Sequence, residues 1–256
     1  MMGFQKNITE LKRKGITFIP GVYSQKQCKE YISLSENIIK KFIKKKKPMA
    51  QDCQLIENPF RHDMKYLGLI YNQAIDKILT KLLDNQYVLI NSNIINRKLR
   101  NDVIKGGKGI GETWHTDSRY LGGIRLDKGF SYIAITMLDD FTLNNASTLY
   151  VPSSHLKRSI PERHKNYKCK QILGKAGTLA IFDSGLWHRG GISTYSNRWS
   201  MYSYYGPWFV KPYFRYPEML GEKFGKKLSK PLRRLFHYTS TPPLNEDERT
   251  NTVIEE

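Results

Sequence analysis

A mainly β fold is the architecture this 256-residue sequence predicts: a jelly roll, two antiparallel sheets wrapped as a double-stranded β-helix, with flanking helices at its N-terminal side. Three observations carry that reading. Apolar residues recur at helical spacing up to Asn85 and at strand spacing after it. Eight strand-like segments follow, at about 87–96, 113–117, 130–138, 148–152, 168–173, 178–183, 187–192 and 198–206, with Gly, Asn, Asp, Ser and Pro in the gaps. The length suits a single core, and no internal repeat at solenoid periods interrupts it.

Taken in order, Met1 to Gly15 is polar and Lys-rich and lacks the apolar stretch of a secretory signal. Gly15 to Pro20 reads as a short strand. Ser24 then caps a helix, with Gln27 at the capping-box position and Cys28, Tyr31, Ile32, Ile38, Ile39, Phe42 and Ile43 on its apolar face. Lys44 to Lys47 suit the negative C-terminal end of that helix, and Pro48 stops it. A second helix is expected over about 66–83, broken by Asp84-Asn85. The eight strands follow, and alternate residues of such a barrel line an interior mouth. Strand character fades from Phe209, and Leu232 to Phe236 reads as a helical turn. Residues 1–240 are therefore expected to form one domain, and 241–256 a polar, flexible tail.

Composition narrows the function classes. Hydrophobic residues make up 39% and aromatics 12%, an ordinary globular balance that excludes a disordered chain. No apolar run approaches the ~18 residues of a membrane helix, so the expected location is the cytoplasm, where the triplets Asn7-Ile8-Thr9 and Asn145-Ala146-Ser147 carry no glycan. Cys28, Cys53 and Cys169 are scattered and odd in number, which argues against a disulfide framework and a zinc ribbon. The net charge of +19 suggests an anionic partner. Lys outnumbers Arg by 28 to 14, whereas phosphate recognition favours the Arg fork, so an anionic small substrate is favoured over nucleic acid or a membrane.

The chemistry is concentrated in a few positions. Of six histidines, only His115 is followed two residues later by a carboxylate, Asp117, and residues i and i+2 of a strand point to one face. A third ligand must come from another strand, and His188, closing the segment Gly177 to His188, is the best candidate. Two histidines and one carboxylate make the facial triad of non-haem iron oxygenases, which leaves three coordination positions open. Two suit a chelating 2-oxo acid and one suits O2. Arg198, ten residues after His188, offers the forked cation needed for the far carboxylate of 2-oxoglutarate, and Ser200 shares its strand face. His155 is a rival third ligand, although Pro152-Ser153-Ser154 before it reads as a turn and favours a structural role. His62 is a candidate for a substrate entrance; His164 and His237 read as surface residues. Gly106 to Gly111 lacks the spacing of a nucleotide motif and reads as a loop at the barrel mouth.

The ordered set resembles the phytanoyl-CoA dioxygenase family, which includes ectoine hydroxylases and bacterial oxygenases of cupin-like fold. The resemblance runs from about Gly15 to the mid-230s and is carried by Trp114-His115-Thr116-Asp117, Asp139 to His155, Gly177 to His188, and Arg198. It implies that His115, Asp117 and His188 are metal ligands and that Arg198 binds oxoglutarate. The family's usual glycines are replaced at Asn145-Ala146 and Ser153. Related halogenases have a small residue where Asp117 stands, so hydroxylation is favoured over halogenation. The implied activity is an Fe(II)-, 2-oxoglutarate- and O2-dependent dioxygenase acting on a small or CoA- or carrier-linked substrate, with release of succinate and CO2. Two alternatives stand beside it: a metal-binding jelly roll without turnover, and a nucleic-acid-modifying oxygenase. If the assignment holds, the three ligating side chains converge with their donor atoms roughly 3–4 Å apart.

Overall fold

The computed structural model describes residues 4–44, 53–98, 113–118, 130–157, 159–191, 196–243 and 245–248. Expectations for Lys45 to Pro48, Gly106 to Gly111 and the tail from Arg249 onward lie outside these residues.

The chain opens with a helix that the sequence reading did not assign, α1 (Gln5–Lys14). It buries only Ile8 and Leu11, and Gly15 ends it at φ 79°, a left-handed cap that glycine adopts without steric cost. Next come β1 (Ile16–Ile19) and α2 (Gln25–Lys44). The predicted capping box is present: the Gln27 backbone N–H donates to Ser24 Oγ at 3.2 Å, and the Ser24 backbone N–H donates to Gln27 Oε1 at 2.8 Å. Ile43, expected on the buried face of α2, is 56% exposed, because the last turn outruns the sheet beneath it. A strand absent from the sequence reading follows, β2 (Cys53–Glu57).

The helix expected over 66–83 is divided into α3 (Leu67–Ile70) and α4 (Gln73–Leu83). Asn72 between them takes an extended conformation, and its side chain accepts from the N–H groups of Ala74 and Ile75, so it starts a new helix in place of continuing the old one. The strands are β3 (Val88–Arg97), β4 (Tyr132–Met137), β5 (Leu149–Tyr150), β6 (Lys170–Gln171), β7 (Leu179–Asp183), β8 (His188–Arg189) and β9 (Arg198–Gly206). The segment expected at 113–117 is reduced to a single bridge at His115. Beyond β9 lie three short helices, α5 (Tyr216–Leu220), α6 (Glu222–Gly225) and α7 (Lys230–Leu235), of which only the last was foreseen, as a turn.

One antiparallel sheet has the order β1-β7-β4-β9-β3-β2, and a smaller one the order β6-β5-β8. The period of two divides the large sheet cleanly. Ile16, Ile133, Ile135, Met137, Ala180 and Phe182 face inward, where Phe141, Tyr150, Ile172 and Leu186 meet them from the other side. Tyr132, Ala134, Leu179, Ile181, Trp199, Met201 and Tyr205 face outward and are covered by helical residues including Leu11, Ile38, Ile75, Leu79 and Phe236. This is the predicted jelly roll, with helices sealing one face. No helix among the described residues is long and apolar enough to cross a membrane.

Candidate metal centre

His115 and His188 are brought together by the backbone. Each donates its N–H to the other's carbonyl at 3.0 Å, and the same turn is fixed where Asp117 N–H donates to the Ser184 carbonyl at 2.9 Å. The two rings lie 4.3 Å apart between centroids. Nδ1 of His115 donates to the Thr113 carbonyl at 2.7 Å and Nδ1 of His188 to the Leu186 carbonyl at 2.9 Å, a tautomer assigned from the carbonyl acceptors. Each Nε2 faces Asp117, whose carboxylate oxygens lie 3.2 Å from His188 Nε2 and 4.0 Å from His115 Nε2, and is the ring nitrogen left to meet a metal. One donor atom from each of the three residues falls within a 4.8 Å cluster, a spacing at which a single ion can meet all three. His188 is only 10% exposed at its side chain, while His115 and Asp117 are about one-third exposed. Burial disfavours a proton on His188, yet the neighbouring Asp117 carboxylate outweighs it and raises the imidazole above its ordinary value.

The other histidines stay away from this point. Among the described residues, the potential metal-binding cluster is His115, Asp117 and His188, without His155. His155 binds the Lys12 carbonyl at 3.2 Å and helps tie α1 to the turn after β5. His62 lies edge-on to Phe42 beside α2, and His164 is exposed. His237, read as a surface residue from its Arg-rich surroundings, is 6% exposed: its Nε2 donates to the Leu89 carbonyl at 3.0 Å and its ring stacks on Tyr216.

Arg198 is 1% exposed, among the most deeply buried large side chains of the protein. Its Nε donates to the Asn145 carbonyl and its Nη2 to the Ala146 carbonyl, both at 3.0 Å, and its guanidinium lies 3.8 Å over the Phe141 ring. Phe141, under the Arg198 guanidinium, and Phe182, 5.1 Å from the His188 ring, belong to one inner cluster between the sheets. Ala146 has φ 59° and Ser153 φ 64°, left-handed values at two of the positions where the resembled family carries glycine. Nη1 of Arg198 is buried with no hydrogen-bond partner, and so are Oγ of Ser200 and Oγ of Ser147. Burial lowers the Arg198 pKa, though the residue remains a cation. A buried fork with an unused N–H edge beside a free hydroxyl fits a carboxylate. A cavity of about 710 Å³ opens elsewhere, between α2 and the turn after β4, and none of the three clustered residues lines it.

The phytanoyl-CoA dioxygenase (PhyH) family matches residues 11–196, nearly three-quarters of the chain and a span that contains His115, Asp117 and His188. The chain belongs to that family. It is accordingly a 2-oxoglutarate-dependent oxygenase, an enzyme class that uses iron and O2, and the His-Asp-His cluster is able to bind the metal. The match ends two residues before Arg198, so the case for Arg198 rests on its burial and its unused N–H edge. Solved structures share the fold at low identity. The non-heme monooxygenase ThoJ is 17% identical with a TM-score of 0.62, covering 80% of this chain and 78% of its own. HygX from Streptomyces hygroscopicus, solved with nickel and 2-oxoglutarate bound, is 12% identical with a TM-score of 0.64, covering 82% and 89%. The alpha-ketoglutarate-dependent epimerase SnoN from nogalamycin biosynthesis is 13% identical with a TM-score of 0.60, covering 80% and 83%. No curated protein sequence matches the chain at a significant level.

One further interior residue was missed from sequence. Tyr202 lies on the same face of β9 as Arg198 and Ser200 and hydrogen-bonds Thr148. Burial, the largest influence, raises the Tyr202 phenol, but the Arg198 and Arg97 charges and the hydrogen bonds with Thr148 and Arg198 together hold the pKa below the ordinary tyrosine value. The signal was available: Arg198, Ser200 and Tyr202 stand at i, i+2 and i+4 of one strand.

Proposed function

We propose that the protein is an Fe(II)- and 2-oxoglutarate-dependent dioxygenase that hydroxylates a small organic substrate, free or CoA- or carrier-linked, in the cytoplasm. In this reading His115, Asp117 and His188 hold the iron. Arg198 binds the far carboxylate of 2-oxoglutarate, with Ser200 adding a hydrogen bond. The observation that carries the reading is the pairing of a convergent His-Asp-His cluster with a buried Arg198 whose Nη1 has no partner. A cation fully desolvated in one interior is costly unless an anion meets it.

When bound, the iron and its oxo acid supply O2 activation, with decarboxylation to succinate and CO2. The chain's own residues do the rest. Backbone carbonyls at Thr113 and Leu186 hold both imidazoles with Nε2 deprotonated. Asp117 supplies negative charge and fills the third protein position. The apolar lining from Ile133, Ile135 and Phe182 excludes water. The anionic character of the substrate is favoured by the net charge of +19.

The test is anaerobic binding of Fe(II) and 2-oxoglutarate, followed by an aerobic screen of metabolite pools for substrate-coupled succinate. Asp117→Ala is expected to lose stoichiometric iron and all coupled succinate, while the exposed control His164→Ala keeps both. Iron retention and full succinate formation in Asp117→Ala would falsify the ligand assignment. Iron and oxoglutarate binding without succinate from any pool would favour a metal-binding jelly roll that does not turn over.

A further inference from the structure

An aromatic surface that neither the cluster nor the oxoglutarate cradle uses lies beside Tyr204, whose phenol is close enough to Asp117 to feel its charge. β9 runs out at Gly206 into Pro207-Trp208-Phe209, and the chain returns through Tyr213, whose N–H donates to the Ile90 carbonyl at 3.0 Å. Trp208 is 51%, Phe209 63% and Tyr213 64% exposed. A lone exposed ring is ordinary, but a connected set marks a binding surface.

These rings are connected. Trp208 lies 5.8 Å from Phe209, and Phe209 lies 6.0 Å from Phe130, both edge to face. Tyr213 lies 6.4 Å from Tyr204, again edge to face. Phe130 and Tyr204 are joined through Ser131, whose hydroxyl is 3.0 Å from that of Tyr204. Ser131 is also 2.6 Å from the Ser184 hydroxyl, and the Ser184 carbonyl accepts the N–H of Asp117. A continuous path of contacts thus runs from the exposed rings to a candidate iron ligand. The opposite end of β9 carries Arg198, so the co-substrate cradle and the aromatic surface sit at different ends of one strand face.

We propose that Trp208, Phe209 and Tyr213, backed by Phe130 and Tyr204, form a stacking platform that selects a substrate with a planar aromatic body and leads it over Asp117 to the metal. The proposal rests on the oxygenase reading for what happens after binding, but not for binding itself. Edge-to-face packing holds the rings in place before a ligand arrives, so little ordering entropy is lost on stacking. A saturated ring of the same skeleton buries similar area and lacks the π-face. Loss of stacking on aromatic side chains reads as about a tenfold drop in affinity. Continuity with the metal centre, and not exposure alone, is what assigns the surface to substrate.

The test is equilibrium dialysis of the Fe(II)- and oxoglutarate-loaded protein, held anaerobic, against two neutral probes: 2-naphthol and decahydro-2-naphthol. The wild type is expected to prefer 2-naphthol. The double variant Trp208→Leu/Phe209→Leu keeps apolar area at exposed positions and removes two π-faces. It is expected to lose about tenfold for 2-naphthol and to bind the saturated probe as before. Equal wild-type affinity for the two probes, or an unchanged variant, overturns the proposal. So does a wild-type dimer in sedimentation that the variant converts to monomer, since the patch then joins two copies. Iron and oxoglutarate are measured on the same samples. Their failure to bind counts against the oxygenase reading, while the probe preference still decides the platform.

Discussion

The large sheet presents two sides built from the same strands, and they differ in how complete they are. On the helix side, Leu79, Ile75, Tyr205, Tyr216 and Phe236 are fully buried and pack on one another, and the buried phenols have partners: Tyr205 donates to the Ile70 carbonyl at 2.6 Å and Tyr216 to the Ile90 carbonyl at 3.3 Å. On the inner side, an aliphatic lining ends in a polar corner where Arg198 Nη1, Ser200 Oγ and Ser147 Oγ are buried without partners. Native interiors rarely leave such groups unsatisfied, and each exception calls for a cause. In the proposed reading an oxo acid completes the inner corner; the helix side leaves Asn96 Oδ1 and Arg234 Nε without partners, but its aromatic core is held by the chain alone. Stability should therefore be lost on one side and ligand binding on the other.

The largest expected effect tests the finished side. Phe236 touches Phe60 at 4.7 Å and Tyr216 at 5.4 Å between ring centroids. Phe236→Ala removes a fully buried ring and is expected to cost about 3–5 kcal/mol in urea unfolding. Whatever protein remains folded should bind iron like the wild type. A loss of iron affinity without a loss of stability would break the comparison, because it would tie the helix side directly to the metal.

The inner side should answer in the opposite way. Arg198→Met removes a buried cation in favour of an apolar side chain, and such replacements are often neutral or stabilising for the unliganded fold. The two carbonyls it leaves behind offset part of that gain, so the change in urea unfolding should stay within about 1–2 kcal/mol. Oxoglutarate affinity should nevertheless fall by tenfold or more. At about a hundred times its dissociation constant a ligand stabilises the folded state by about 2.7 kcal/mol. The wild type should show this shift and Arg198→Met, at the same oxoglutarate concentration, about half of it or less. Ser200→Ala is the milder form: it deletes an unpartnered hydroxyl, so the unliganded protein should be as stable as the wild type or slightly more so, with a smaller loss of oxoglutarate affinity. Equal stabilisation of wild type and Arg198→Met by oxoglutarate would remove Arg198 from the site.

What the sequence revealed follows the same division. Strands that bury both faces of the jelly roll, such as β4 and β7, announce themselves through unbroken apolar runs, and His188 follows β7 closely in the chain to pair with β5. The pairing of His115 with Asp117 needed only the two-residue period. What escaped was decided by tertiary contact. α1 has just two buried residues among ten mostly polar positions, so too few apolar residues mark its buried face. The break at Tyr71-Asn72 depends on a cap whose side chain also reaches Tyr23, far away in sequence. His237 sits among arginines in the sequence, but its neighbours in space are Tyr216 and the Leu89 carbonyl. The substrate end escaped for a related reason: Trp208 and Phe209 lie where strand character fades, and only folding places them near Ser131 and Asp117.

His237 supplies the smallest effect and the sharpest check on the finished side. It follows α7 at φ 64°, a left-handed position, with Nε2–H donating to Leu89 and Nδ1 accepting from Ser240 at 3.3 Å. Burial lowers its pKa, against a weaker opposing contribution from the bond to Leu89. The sign follows from proton uptake. An unfolded imidazole protonates at about pH 6.5, while the folded one resists, so below that point the unfolded state binds more protons. Folding stability is then whole above about pH 6.5 and declines as pH falls toward the depressed folded value. His237→Asn keeps a residue type that tolerates the left-handed backbone and removes the titration. Urea unfolding at a series of pH values should show the wild type losing stability between about pH 6.5 and 5 relative to His237→Asn, with the two curves parallel above pH 7. Iron enters neither curve if both are recorded with a chelator present. Parallel curves throughout would mean that the imidazole protonates in place, and that the helix side, like the inner one, holds a polar group the fold leaves open to change.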